Sequence, residues 1–270
     1  MISEDTRARI KGYLEGFIQG LIAQKRAEST VGPNDLRPPR ISAPEGDYRP
    51  FHESILPEGI LRTSEFERSF STKLGTTFEE VARILGSQFW TVAERGYRVR
   101  GPVSKSAIQA IEQICNRISS ARAHEHWPSL VSEIVSLADD GVERERIADL
   151  YLADADGNEV FFEMKSPKPN KGQCVEITDR LLQIHAIKRA GPPKVGAFFA
   201  MAYNPYGESK AAYKHSFARG YLDLDNQVLI GKEFWDLVGG SSCYEELLEI
   251  YREVGREKGP DMIEQLALGY

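Results

Sequence analysis

From Phe78 the apolar positions Phe78, Val81, Ala82 and Leu85 recur at helical spacing, which predicts a long helix over about 64–94. The same period predicts helices at about 3–28, 104–122 and 128–140. The pattern then changes. Over 146–165 two arms rich in β-branched and aromatic residues flank an Asp/Gly/Asn cluster, the signature of an antiparallel hairpin. Beyond it the pattern predicts a helix from about Val175 to Arg189, a strand from Lys194 to Met201, and a short strand near Gln227 to Ile230. Helices near 231–238 and 243–257 follow. Helix, hairpin, helix and returning strand describe an α/β fold with a mixed central sheet flanked by helices. Residues 29–50, dense in Pro, Gly and Arg, read as a connecting segment or an arm.

The hairpin carries charge in an unusual place. Alternation puts Glu163 and Lys165 on one face of their strand. If the loop is Ala155-Asp156-Gly157, with Gly157 at positive φ, Asp149 lies opposite Glu163. Two facing carboxylates are unfavourable unless a cation sits between them, and hard oxygen ligands with room for water suit Mg²⁺. Lys165 would then orient or help deprotonate a water and stabilise charge developing on phosphorus. A solvated ion pair is the plain alternative, and the same spacing recurs at Glu208-Ser-Lys210. The apolar neighbours Val160, Phe161, Phe162 and Met164 distinguish the first copy, because they make its charges costly to hold.

Asp149, Glu163-Met-Lys165 and the following Ser-Pro-Lys168-Pro-Asn170-Lys171-Gly-Gln173 resemble the active-site core of the PD-(D/E)xK nucleases, in the form of the TdeIII-like type II restriction endonucleases. Further similarity runs through Arg49-Pro-Phe-His52, Leu56 to Arg62, Phe66 to Thr72, Gly75 to Ala82, Tyr203 to Gly207 and Phe234 to Gly240, over most of the chain. The resemblance implies a restriction-endonuclease-like core with a helical amino-terminal elaboration. It implies that Asp149 and Glu163 bind metal, with the Met164 carbonyl as a further ligand, and that Lys165 is the catalytic lysine. Glu79 is the implied auxiliary carboxylate, with Glu80 its rival. The proline that precedes the aspartate in the superfamily's name is Ala148 here. A site-specific, Mg²⁺-dependent endonuclease cutting double-stranded DNA at a short palindrome, of the GGNCC kind, is the implied activity, and two-fold DNA symmetry suggests a homodimer.

Composition narrows the rest. The 270 residues, 41% of them hydrophobic, suffice for a single nuclease domain: an amino-terminal helix and Pro/Arg-rich arm over about 1–62, a catalytic core over about 63–240, and a carboxy-terminal helix over about 241–270. Cys115, Cys174 and Cys243 are scattered and odd in number, which argues against a disulfide framework or a structural zinc site. No basic-plus-apolar leader is read at Met1, and no apolar run reaches the roughly 20 residues that span a bilayer, so a cytoplasmic protein with no membrane partner is expected. No phosphate-cradling glycine loop suggests a nucleotide cofactor.

A net charge of −6 fits DNA only if basic residues are gathered on one face. Lys168, Asn170, Lys171 and Gln173, leading into a helix amino end beside the site, are placed to contact phosphate. Lys210, Tyr213, Lys214 and His215 could reach bases or phosphates, and read equally as an ordinary polar loop. His124 and His126 lack further ligands nearby, and Asp154 to Asn158 lacks the closing glutamate of a calcium loop. A repair or junction nuclease with the same core, and a non-catalytic DNA-binding module, are the competing functions.

Overall fold

The computed structural model describes residues 1–28 and 58–262. The expected loop or arm over 29–50 lies outside the described residues, as do Arg49 to His52. Cα proximity divides the chain into two compact units, one formed by Met1–Thr6 with Phe78–Leu247, the other by Arg7–Thr77 with Leu248–Tyr270.

The described residues of the second unit are helical. Helix α1 (Glu4–Glu28) buries Ile10, Leu14, Ile18 and Leu21, a stripe at three- and four-residue spacing. Helix α2 (Glu58–Phe89) begins in this unit and belongs to the first unit from Phe78 onward. Phe17 and Phe70 bring their rings to 6.2 Å, and Arg7 and Lys11 both pair with Glu253 near the end of the chain.

The first unit is built on a five-stranded sheet in the order β1 (Val92–Ser104), β2 (Gly141–Ala153), β3 (Glu159–Met164), β4 (Val195–Met201) and β5 (Val228–Ile230). β1, β2 and β3 run antiparallel, while β3, β4 and β5 run parallel, so the sheet is mixed as expected. Helices α3 (Lys105–Ala121) and α4 (Trp127–Ser136) connect β1 to β2, and α5 (Lys171–Lys188) makes the crossover from β3 to β4. The short helix α6 (Ser216–Tyr221), α7 (Lys232–Gly239) and the start of α8 (Cys243–Met262) complete it, and from Leu248 onward α8 belongs to the second unit.

Strand alternation sends alternate side chains of β2 and β3 to opposite layers. Tyr151 and Phe161, cross-strand partners, join the main core with Ile111 and Ile114 of α3, Leu130 of α4 and Leu181 of α5. On the other face Phe162 meets Phe234 of α7 at 5.4 Å, and Gly86 of α2 sits so close to Leu152 that an added Cβ would come within 2.8 Å of it.

The hairpin has the anticipated register. Leu150 pairs with Phe162 and Ala153 with Glu159, and Gly157 takes φ of 72° in the loop. Asp154 receives the Asn158 amide on its side chain and donates its own amide to the Asn158 carbonyl, which closes the turn.

Several boundaries differ from expectation. Residues 92–104, whose first residues fall within the helix expected to about 94, form the edge strand β1. Gly96, Gly101 and Pro102 mask its pattern, and an edge strand tolerates them because one side of its ladder is unpaired. Helix α4 stops at Ser136, since Asp139 and Asp140 bond the first turn of α3 instead. Helix α5 starts at Lys171, earlier than the apolar period shows, because Asn170 and Gln173 form a capping box. No helix among the described residues is long and apolar enough to cross a membrane.

Candidate active site

Asp149 within β2, Glu163 near the end of β3 and Lys165 just beyond it converge where the pairing of β2 with β3 stops. Lys165 Nζ lies 2.6 Å from Glu163 Oε1 and 3.7 Å from Asp149 Oδ2. The Met164 amide donates to Asp149 Oδ2 at 2.7 Å, which ties the aspartate to the neighbouring strand. In an extended strand a residue's N–H and C=O point to the same edge, so the Met164 carbonyl is turned toward Asp149 as well.

Glu163 is only 2% exposed. Burial pushes its carboxyl above the usual range, the negative charge of Asp149 adds to this, and Lys165 and Arg180 oppose it. For Lys165, burial works against the ammonium but is outweighed by its bond to Glu163 and by the two carboxylate charges, so the net direction is upward. The lysine in this arrangement is a firm cation.

Arg180 was not foreseen. It projects from α5, with Nη1 3.2 and 3.3 Å from the two Glu163 oxygens and Nη2 2.8 Å from Glu176. Its signal in the sequence is an arginine in a helix whose neighbours Ile177, Leu181 and Leu182 are apolar, a setting that asks for an anionic partner.

Glu79 and Glu80 stand elsewhere. Arg95 of β1 pairs with Glu79 at 2.7 Å and with Glu80 at 3.3 Å, and Glu80 also holds Arg83. Among the described residues no three His, Cys, Asp or Glu side chains gather into a metal-holding group.

The segment after Lys165 is fastened from two sides. Asn170 and Gln173 are committed to the capping box of α5. The buried Tyr213 hydroxyl donates to the Pro167 carbonyl at 2.7 Å, and His215 Nε2 lies 2.8 Å from the Pro169 carbonyl. Lys210 bonds the Val228 carbonyl and pairs with Glu233. Lys168 lies over the Tyr206 ring and Lys171 over the Tyr221 ring, both lysines exposed, and Lys214 is exposed too. The lysines at 168, 171 and 214 thus face solvent, while Tyr213 and His215 support the connector.

The donor set suits a hard divalent cation. Two carboxylates on adjacent strands, one buried and driven upward by the other's charge, present oxygen ligands together with a carbonyl turned to the same edge. Asp149, Glu163 and the Met164 carbonyl would hold it.

The sequence model of the family described as type II restriction endonuclease, HinfI, matches residues 6–255. The type II restriction enzyme HgiEI of Herpetosiphon aurantiacus is 43% identical over 272 residues, covering 98% of each chain. From the same organism, HgiBI is 43% identical over 98% of each chain, and HgiCII 42% identical over 98% of this chain and 99% of that protein.

Proposed function

The chain belongs to the HinfI family of type II restriction endonucleases and is a site-specific deoxyribonuclease, and on that footing we propose that Asp149, Glu163 and Lys165 form its PD-(D/E)xK active site. The observation that carries this reading is the convergence of both carboxylates and the lysine within salt-bridge distance where the pairing of β2 with β3 stops. Mg²⁺ is the proposed cofactor, held by Asp149, Glu163 and the Met164 carbonyl; when bound it supplies Lewis-acid stabilisation of charge on the phosphate.

The protein groups do the rest. Water attacks phosphorus in line with the leaving oxygen, and Lys165, kept charged by its two carboxylates, orients it and stabilises the negative charge that builds on the phosphoryl oxygens. Lys168 and Lys171 hold the DNA backbone beside the amino end of α5, where the helix dipole favours an anion. Glu79 remains the proposed auxiliary carboxylate, and reaching the metal would require it to leave Arg95. Tyr213 and His215 contribute to DNA binding by shaping the connector, with Lys210 and Lys214 flanking them.

The proposed substrate is a short palindrome of the GGNCC kind, cut by a homodimer with one chain per half-site. The TdeIII-like grouping and a single nuclease domain complete the reading. Digestion of a plasmid of known sequence with Mg²⁺ tests it: discrete fragments whose ends share one palindrome, absent with EDTA, are expected. Fragments with asymmetric or unrelated ends would contradict it.

A further inference from the structure

Arg180 occupies the site without belonging to the set that hydrolysis needs. A carboxylate that is 2% exposed carries two cations at once, Lys165 at 2.6 Å and Arg180 at 3.2 Å. Formally Lys165 and Arg180 balance Asp149 and Glu163, and Glu176 on the outer side of Arg180 leaves one negative charge in excess before any metal enters. A divalent ion seated between the carboxylates adds two positive charges beside a guanidinium that already spans both Glu163 oxygens. Like charges a few ångströms apart in a partly desolvated site repel strongly.

DNA supplies the relief. A guanidinium fork matches phosphate as well as it matches carboxylate. Arg180 is partly exposed, and Glu176, one helical turn back on α5, holds its other nitrogen as a pivot. We infer that Arg180 makes metal binding conditional on substrate: in the free enzyme it neutralises Glu163, and in the complex it passes to a backbone phosphate and leaves the carboxylate to the metal. Arg180 is in this sense a positioning residue, and the inference rests on the reading of Asp149 and Glu163 as the metal-holding pair.

The test is a calorimetric titration of Ca²⁺, used in place of Mg²⁺ to slow cleavage, into the full chain with and without a duplex carrying the site mapped by plasmid digestion. Wild type should bind Ca²⁺ at least about 10-fold more tightly with DNA, a coupling of ordinary size. Arg180→Gln should bind it about 10-fold more tightly than wild type without DNA and lose most of the DNA effect, while Arg180→Lys keeps the wild-type dependence. Arg180→Met, which preserves the aliphatic stem, replaces the glutamine variant if that one does not fold. Equal Ca²⁺ affinity of wild type and the uncharged variant without DNA, or an undiminished DNA effect in that variant, overturns the inference. Asp149→Asn separates the two levels: if it binds Ca²⁺ as wild type does, the metal-holding reading itself fails.

Discussion

The hydroxyl of Tyr213 donates to the carbonyl of Pro167 at 2.7 Å, both residues buried, and so fastens the connector that follows Lys165 to a segment 46 residues further along the chain. Tyr213→Phe removes the donor and leaves a buried carbonyl unpaired, which costs about 1–3 kcal/mol. Thermal unfolding should show the loss. Single-turnover cleavage should slow as well, because Lys165 depends on that connector for its placement; a variant as stable as wild type would contradict the account.

Lys168 and Lys171 are exposed at the entrance to α5. If each neutralises one phosphate, replacing either with Ala should lower the slope of log affinity against log salt by about 0.9 and weaken binding to all sequences alike. DNA-binding titrations in EDTA across a salt series measure this directly.

His185 lies wholly buried against Trp127, with Nδ1 bonded to the Ala190 carbonyl and Nε2 without a partner among the described residues. Burial lowers its pKa from 6.5 to about 4. The unfolded chain therefore binds the proton first as pH falls, so the contribution of His185 to stability is full above about pH 6.5 and is lost progressively down to about pH 4. Urea unfolding between these limits should show stability falling with acid, and His185→Leu should flatten that part of the profile.

Gly239 allows α7 to approach α2. A Cβ there would come within 2.7 Å of Leu85 side-chain atoms and of Cys243 Sγ. Gly239→Ala should destabilise by about 1–3 kcal/mol through overpacking, read as a drop in Tm with the cleavage site unchanged.

The hairpin was legible because its determinants are local. Gly157 at positive φ and the Asp154 and Asn158 pair specify one loop, and the loop specifies the register that aligns Asp149 with Glu163. Strand β1 was not, since Gly96, Gly101 and Pro102 interrupt its alternation and an edge strand needs little of it. Arg180 escaped for another reason: its contact with Glu163 exists only because α5 returns across β3, a tertiary relation that no short motif encodes. The tie between Glu79 and Arg95 is of the same long-range kind. Tyr213 and His215, which the sequence offers equally as DNA contacts or as part of an ordinary polar loop, bond the connector's carbonyls, because proline-rich segments leave carbonyls that other elements must satisfy.

The central claim is that Lys165 performs the chemistry from between Asp149 and Glu163. Single-turnover cleavage of the mapped duplex by wild type and Lys165→Ala in Mg²⁺, with DNA affinity measured alongside in EDTA, tests it most directly. The account predicts a rate loss of at least about 100-fold for Lys165→Ala with DNA affinity within a few-fold of wild type. Cleavage by Lys165→Ala at close to the wild-type rate would contradict it.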